Sequence, residues 1–229
     1  MPSVPHSSLG RTSTSSPIFA MSLAIGSFIA GIAPAASASD KNGQDNTPAQ
    51  CAEAHLAVAA GQPLPNLRLF RKGHGALHNN TLTIFNDGSQ YGNEIAASAE
   101  AWTRASGGKV RVTVSDHPSE HSVRVYDVNR DTHWVGWTRR EPWRILLNSA
   151  FLDSMSPNER QATITHEFGH AMGLKHGCPG DVMHAFSDQG QPVEPTATDV
   201  QALLQEESGN STVKTGADEQ SYDAPDFVS

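Results

Sequence analysis

One segment, residues 157–175, has the strongest helix-forming pattern in this sequence and therefore constrains the fold most. Ser156 is a favourable N-cap, Pro157 occupies the first helical position, and Glu159 lies three residues after the cap. These residues match the capping box, in which the cap hydroxyl and the glutamate carboxylate satisfy backbone N–H groups at the helix start. We therefore predict a helix over residues 157–175. Gly173 can adopt the left-handed conformation that commonly ends a helix.

The same helix carries side chains suited to binding a metal ion. His166 and His170 are four residues apart, so they lie one turn apart on one helix face. Two imidazoles in that arrangement can bind one zinc ion from the same side. If the chain turns at Gly173, His176 can approach as a third ligand and leave one coordination position open, as in catalytic zinc sites. Glu167 is placed to reach a water molecule on the metal.

A methionine, Met183, follows His176 by seven residues. Together these residues form the pattern His-Glu-x-x-His-x-x-Gly-x-x-His with a methionine close behind, which resembles the metzincin zinc endopeptidases. In that family the methionine lies in a tight turn, the Met-turn, below the three imidazoles. The surrounding sequence is similar to the small matrixin-like and snapalysin-like secreted proteases of actinobacteria. That similarity covers about residues 80–207 and includes Ala101-Trp102, Ile145-Leu146-Leu147-Asn148 and Pro195-Thr196-Ala197-Thr198-Asp199.

The resemblance implies a fold and a reaction. The fold would be α/β (α+β): a twisted mixed sheet with an edge antiparallel strand, a long active-site helix, a Met-turn and a C-terminal helix. One zinc ion, bound by His166, His170 and His176, would activate a water molecule. Glu167 would act as general base and then deliver the proton to the leaving amine. The substrate would be a protein or peptide that lies extended beside an edge strand.

Two departures from these families concern the metal ions. Snapalysins use aspartate as the third ligand, whereas this chain has His176 and so moves towards the matrixin pattern. The structural zinc and calcium segment of matrixins is not recognisable, so a calcium requirement is not predicted either way. We expect His117, His121 and His133 to be exposed or edge residues rather than ligands of a second metal ion.

Hydrophobic periodicity predicts the remaining elements. Strands are predicted at 81–86, 109–115, 122–128, 133–138 and 143–148, and further helices at 49–60, 91–105 and 197–207. A helix after the first strand favours a right-handed crossover to a parallel neighbour. The segment 133–138 is our candidate for the substrate-binding edge strand. Trp134, Trp137 and Trp143 could line the cleft, but core or strand positions explain them at least as well.

Composition and the N-terminal residues indicate an exported protein. Lys and Arg total 16 and Asp and Glu total 24, which gives a formal net charge of −8 and argues against a nucleic-acid partner. Residues 1–38 resemble a signal peptide, since one charge, Arg11, is followed by an apolar run and the small-residue site Ala36-Ser37-Ala38. We therefore expect secretion without a stable membrane anchor.

The rest of the chain is predicted to divide into three parts. Residues 39–76 would be a pro-segment or N-terminal extension, in which Arg71-Lys72 is a candidate processing point. Residues 77–207 would form the catalytic domain. Residues 208–229 hold four acids and one lysine without apolar periodicity, so we expect a disordered acidic tail. Nothing in the sequence demands an oligomer, and we expect a monomer.

The two cysteines allow two interpretations. In an oxidising compartment Cys51 and Cys178 can form one disulfide, which would hold the N-terminal segment near the metal-binding loop. Alternatively, Cys51 is a thiolate that blocks the metal ion until its segment is removed. The matrixin switch motif Pro-Arg-Cys-Gly is absent around Cys51, which favours the disulfide.

Three other functions remain open from the sequence. A gluzincin-type protease would take a glutamate from downstream as third ligand, and Glu194 is the nearest candidate, although Pro192 and Pro195 flank it. A secreted zinc-binding protein without turnover is a second alternative, against which Glu167 argues. A protease-like toxin with a single target is the third, and the catalytic residues do not distinguish it.

Overall fold

The structure is a computed structural model that describes residues 46–187, 190–206 and 226–228. The predicted signal peptide, residues 1–38, lies outside these ranges. The helices are α1 (Pro48–Ala59), α2 (Gly92–Ala105), α3 (Ser149–Leu152), α4 (Pro157–Ala171) and α5 (Ala197–Leu204). The strands are β1 (Thr81–Asn86), β2 (Arg111–Ser115), β3 (Ser122–Val128), β4 (Trp134–Arg139), β5 (Arg144–Asn148), β6 (Phe186–Ser187) and β7 (Asp226–Val228).

The strands form one mixed sheet in the order β2-β1-β3-β5-β4-β7-β6. The pairs β1–β2, β1–β3 and β3–β5 are parallel, whereas β4 is antiparallel to β5. The parallel pairing of β1 with β2 across α2 follows the crossover predicted from the sequence. The predicted fold class, a mixed α/β fold with an antiparallel strand towards one side of the sheet and a long helix, is confirmed.

Helix α4 begins as predicted but ends earlier than residue 175. Ser156 and Glu159 form the reciprocal capping box, and Pro157 is the first helical residue. The helix ends at Ala171 because Gly173, with φ of +94°, turns the chain away. A side chain at Gly173 would also overlap the backbone carbonyl of Gly73, so the turn needs glycine for space as well as for conformation. The prediction of a helix through residue 175 was therefore too long.

A single hydrophobic core joins the sheet to helices α2 and α4. Trp102 on α2 is completely buried, and its indole Nε1 donates a hydrogen bond of 2.8 Å to the carbonyl of Thr165 on α4. Ile84, Ile145 and Phe168, which are also fully buried, come from β1, β5 and α4. Burial of each such side chain contributes about 1.5–3 kcal/mol. The core thus fixes the position of α4 against the sheet.

The N-terminal segment before residue 77 contributes side chains to the same core. Leu64, Leu67 and Phe70 are buried in the common hydrophobic cluster. The prolines and glycines of this segment have the composition of a linker, but three large apolar side chains between them are buried. Arg71 is also engaged, since its guanidinium bonds to the carbonyls of Gly73 and Gln205.

Strand β4 corresponds to the predicted edge segment 133–138, but its outer side is paired. Strand β7 lies antiparallel to β4, and β6 lies parallel to β7. Strand β7 lies within residues 208–229, which we predict to be a disordered acidic tail, and the backbone of β4 supplies its pairing partner. Residues 207–225 and 229 lie outside the described ranges.

Candidate metal centre

Helix α4 and the turn after it bring three histidines together. The Nε2 atoms of His166 and His170 are 3.0 Å apart. The ring of His176 reaches the same place from the loop after Gly173, with ring centroids 5.6 Å from His166 and 4.9 Å from His170. One nitrogen from each ring lies within 4.8 Å of the others. The arrangement predicted from the spacing of the three residues is therefore present.

Backbone carbonyls determine which nitrogen of two of these rings carries hydrogen. Nδ1 of His166 lies 2.7 Å from the carbonyl oxygen of Val182, and Nδ1 of His170 lies 2.9 Å from that of Leu174. A carbonyl only accepts hydrogen bonds, so each Nδ1 donates and a neutral ring leaves its Nε2 with a lone pair. Two such lone pairs, 3.0 Å apart, can both be directed at one metal ion. Two imidazoles oriented by carbonyls, with the ring of His176 beside them, form a donor set that suits zinc.

Glu167 lies between α4 and β4 and has no exposed surface. The hydroxyl of Thr138 on β4 lies 2.5 Å from Oε2 of Glu167 and 3.0 Å from its backbone carbonyl oxygen. A Cβ on Gly136 would overlap Oε1 of the same carboxylate. The absence of a side chain at Gly136 therefore makes room for Glu167, and Thr138 orients it. The motif gives no signal for either residue, because both lie on a strand distant from it in sequence.

Met183 lies in a tight turn of the chain after His176. The backbone N–H of His184 bonds to the carbonyl of Asp181 and closes the turn, while the N–H of Gly177 donates to the carbonyl of Met183 at 2.6 Å. Met183 is 2% exposed, and its sulfur would overlap a Cβ placed on Gly169. The thioether therefore packs against α4 between the turns that carry His166 and His170.

Two buried aspartates stabilise this turn. Asp199, near the start of α5, accepts hydrogen bonds from the backbone N–H groups of Val182 and Met183. Asp181 accepts from the hydroxyl of Thr196, which also lies 2.8 Å from Asp199. Burial, followed by the negative charge of Asp181, raises the pKa of Asp199 to about 6. Asp199 belongs to a segment quoted for the resemblance, but its contact with the Met183 turn is visible only in three dimensions.

Helix α1 and the residues just before it contact the loop that carries His176 through three links. Cys51 and Cys178 form a disulfide, and the alternative of a thiolate switch at Cys51 is therefore wrong. The side-chain amide of Asn46 donates to the carbonyl of His176 at 3.0 Å. Nε2 of His55 lies 3.1 Å from Oδ2 of Asp181. The loop that carries His176 is thus held by a segment more than a hundred residues earlier in the chain.

Other residues singled out in the sequence lie away from this centre. His117, His121 and His133 are exposed, and none of them joins a metal-binding cluster within the described part of the chain. Glu194 forms an ion pair of 2.6 Å with Arg104, so the gluzincin-type ligand set gains no support. Trp134 is buried, packed edge-to-face against Trp137 at 5.7 Å. Trp143 is half-buried beside the core.

No protein-family model matches the chain, and no curated protein matches it. Among solved structures, the chain is similar to one titled "Structure of myroilysin", with 15% sequence identity and a TM-score of 0.43. That similarity covers 58% of this chain and 95% of the other. At this level of similarity, inference about the site depends on the residues themselves. Within the described ranges, no helix is long and apolar enough to cross a membrane.

Proposed function

We propose that this protein is a secreted zinc-dependent endopeptidase of the metzincin type. The observation that carries the proposal is the convergence of His166, His170 and His176, whose ligand atoms lie within 4.8 Å, beside a carboxylate held by Thr138. Glu167 follows the first histidine directly, so its side chain points from α4 towards β4 rather than into the histidine cluster. Metal binding is thus assigned to two histidines of α4 and to His176 in the loop after it, and proton transfer to Glu167.

In this mechanism His166, His170 and His176 would bind one zinc ion. When bound, zinc lowers the pKa of a water ligand to near 7 and polarises a substrate carbonyl. Glu167 accepts the proton of the attacking water and delivers it to the leaving amine. Thr138 keeps Oε2 in place, which leaves Oε1, the oxygen beside Gly136, to accept the proton. The peptide would lie extended along β4, backbone to backbone.

The remaining proposals concern the mature chain. The disulfide is compatible with an oxidising, extracytoplasmic location. We assign residues 1–38 to an export signal and interpret the segment that follows as an extension that stays with the catalytic domain rather than a removed pro-segment. Buried Leu64, Leu67 and Phe70 support this choice, because cleavage at Arg71-Lys72 followed by loss of the segment would expose the core. We expect a monomer that acts on proteins or peptides.

Hydrolysis of casein or gelatin by the purified protein tests the proposal. We expect activity that 1,10-phenanthroline abolishes and that Glu167→Ala lowers by a factor of at least about 10². Glu100→Ala, which changes an exposed glutamate on α2, is the matched control and should leave activity unchanged. Activity that persists in Glu167→Ala would contradict the assignment of the base.

Metal content separates the alternatives. Bound zinc should be lost in His176→Ala and retained in Glu194→Ala, whereas a gluzincin-type site gives the reverse. One zinc ion per chain without hydrolysis of casein, gelatin or a diverse peptide library would indicate a binding protein or a protease with a single target.

A further inference from the structure

Strand β7, formed by Asp226–Val228 near the C-terminus, lies between β4 and β6. It is antiparallel to β4, with Phe227 opposite Trp134 and Asp226 opposite Gly136. It is parallel to β6, with Phe227 opposite Phe186 and Val228 opposite Ser187. The backbone of β7 is therefore paired on both sides, as an added strand would be in a groove between two sheet edges.

The position of β7 relative to Glu167 makes this pairing significant. Gly136 is the residue whose Cα lies against the Glu167 carboxylate, and its partner in the ladder is Asp226. Glu167 is completely buried in this arrangement, although a general base must reach its substrate. The side of β4 that an extended peptide would use is thus occupied by the protein's own chain.

The local sequence and the connection to α5 are compatible with such a contact. Phe227 and Val228 have high strand propensity, and Pro225 directly precedes the strand. Residues 207–225 connect residue 206, after α5, to β7. A chain of this length spans up to about 60 Å when extended. A tethered segment can reach an effective concentration on the order of 1 mM, so a weak three-residue strand can still compete with free peptides.

We propose that Asp226–Val228 is a built-in competitive occupant of the peptide-binding edge of β4. The functional consequence of this inference rests on the proposed function. It is that the tail must leave β4 before a substrate can pair with that strand. The position of β7 beside β4 does not depend on that function. The strand acts as an internal peptide ligand: it reduces the fraction of open sites and leaves the catalytic groups unchanged.

Three variants of the full chain, each purified and checked by thermal denaturation, test the proposal. The first ends at Pro225 and so lacks residues 226–229. The second is Phe227→Pro, which removes the backbone donor of the central residue of β7. The third is Ser221→Pro, the same type of change outside β7, as matched control. A free peptide with the sequence of residues 222–229 serves as competitor.

Hydrogen–deuterium exchange of the β4 amides, residues 134–139, measures occupancy without reference to catalysis. We expect exchange about tenfold faster in the truncated chain and in Phe227→Pro than in the full chain and in Ser221→Pro. The free peptide, fluorescently labelled, should bind the truncated chain carrying Glu167→Ala and restore protection of β4. Equal exchange in all four proteins would overturn the proposal.

Kinetics measure the regulatory consequence. With an effective concentration of about 1 mM and an intrinsic dissociation constant of about 0.1 mM, the tail would raise the apparent KM about tenfold. Truncation should therefore lower KM by about that factor at unchanged kcat, and the free peptide should inhibit competitively. Hydrolysis with identical KM in the full and truncated chains would refute autoinhibition while leaving the protease function intact. Altered exchange and peptide binding without any hydrolysis would refute the protease function while supporting the placement of the tail.

Discussion

The side-chain amide of Asn46 donates a hydrogen bond to the backbone carbonyl of His176, across 130 positions of sequence. Asn46 is 3% exposed and directly precedes Thr47, the N-cap of α1. The same helix carries Cys51, which is bonded to Cys178 two residues after His176. The position of the third candidate metal ligand is therefore determined by the start of α1, outside the motif that contains it.

Asn46→Ala should weaken both folding and metal binding. A buried carbonyl left without its donor costs about 1–3 kcal/mol, and the His176 loop loses a constraint on its position. We expect a lower free energy of unfolding in urea and a zinc dissociation constant raised about tenfold or more. Asn66→Ala, at an exposed asparagine that makes no capping hydrogen bond, is the control and should change neither quantity. Equal zinc affinity in both variants would show that Asn46 does not position His176.

Replacing both cysteines, Cys51→Ala with Cys178→Ala, should destabilise the protein strongly. The disulfide closes a loop with a sequence separation of 127, and cross-links of this length restrict the unfolded chain by about 4–5 kcal/mol in the chain-entropy model. The melting temperature should fall, and reducing agent should lower that of the wild type but not that of the double variant. A reductant-insensitive wild type with free thiols would contradict the disulfide.

Thr138→Val should lower catalytic efficiency without loss of metal. The substitution keeps the shape of the side chain and removes the hydroxyl that holds Oε2 of Glu167. Because Thr138 positions Glu167 and is not a metal ligand, we expect kcat to fall about 10- to 100-fold at nearly constant KM and zinc content. Thr113→Val on β2 is the matched control and should leave kcat unchanged. A fall in zinc content parallel to activity would indicate a structural role instead.

Gly136→Ala tests the close approach between β4 and the candidate base. The added methyl group would overlap Oε1 of Glu167, so the carboxylate must move or the strand must shift. We expect loss of peptide hydrolysis with retained zinc binding, since the three histidines lie elsewhere. Gly92→Ala at the start of α2, where the new Cβ meets only ordinary contacts, is the control. Full activity in Gly136→Ala would rule out the proposed position of Glu167 during catalysis.

Stability should depend on pH through Asp199. Burial and the nearby Asp181 raise the pKa of Asp199 from 3.8 to about 6, so the folded state takes up its proton at higher pH than the unfolded state. The free energy of unfolding of the wild type relative to Asp199→Asn should therefore increase as the pH falls from 7 to 4. The maximum gain is about 3 kcal/mol, with no further change below the unfolded pKa.

Urea denaturation at each pH, in the presence of a chelator, measures this difference without a contribution from metal loss. The contact between His55 and Asp181 is present in both proteins. Asp116→Asn at an exposed site is the control and should follow the wild type. A difference that stays constant between pH 4 and 7 would show that Asp199 is not protonated in this range.

Local sequence patterns predicted the main elements of the sheet and its helices. Strict alternation defined β2 and β3, and the capping box and Pro157 defined the start of α4, because each of these signals acts within a few residues. The end of α4 was less well predicted, since Gly173 ends the helix through its own conformation together with its packing against Gly73. No local sequence pattern predicts the contact between Gly173 and Gly73.

The convergence of the candidate metal ligands was predictable for a physical reason. Spacings of three and four place side chains on one helix face regardless of the rest of the fold, so His166 and His170 had to lie together once α4 formed. The spacing also allowed His176 to return after a turn. It contained no information on Asn46, Thr138, Gly136 or the paired aspartates, which reach the centre from other elements.

Sequence alone thus determined a helix bearing two adjacent imidazoles and a carboxylate, because helical periodicity depends only on nearby residues. The tertiary structure decided that the N-terminal segment belongs to the core, and that the C-terminal residues pair with β4. Both depend on contacts between distant parts of the chain. A linker-like composition does not exclude buried leucines, and a three-residue strand becomes ordered only where a neighbouring strand supplies its hydrogen bonds.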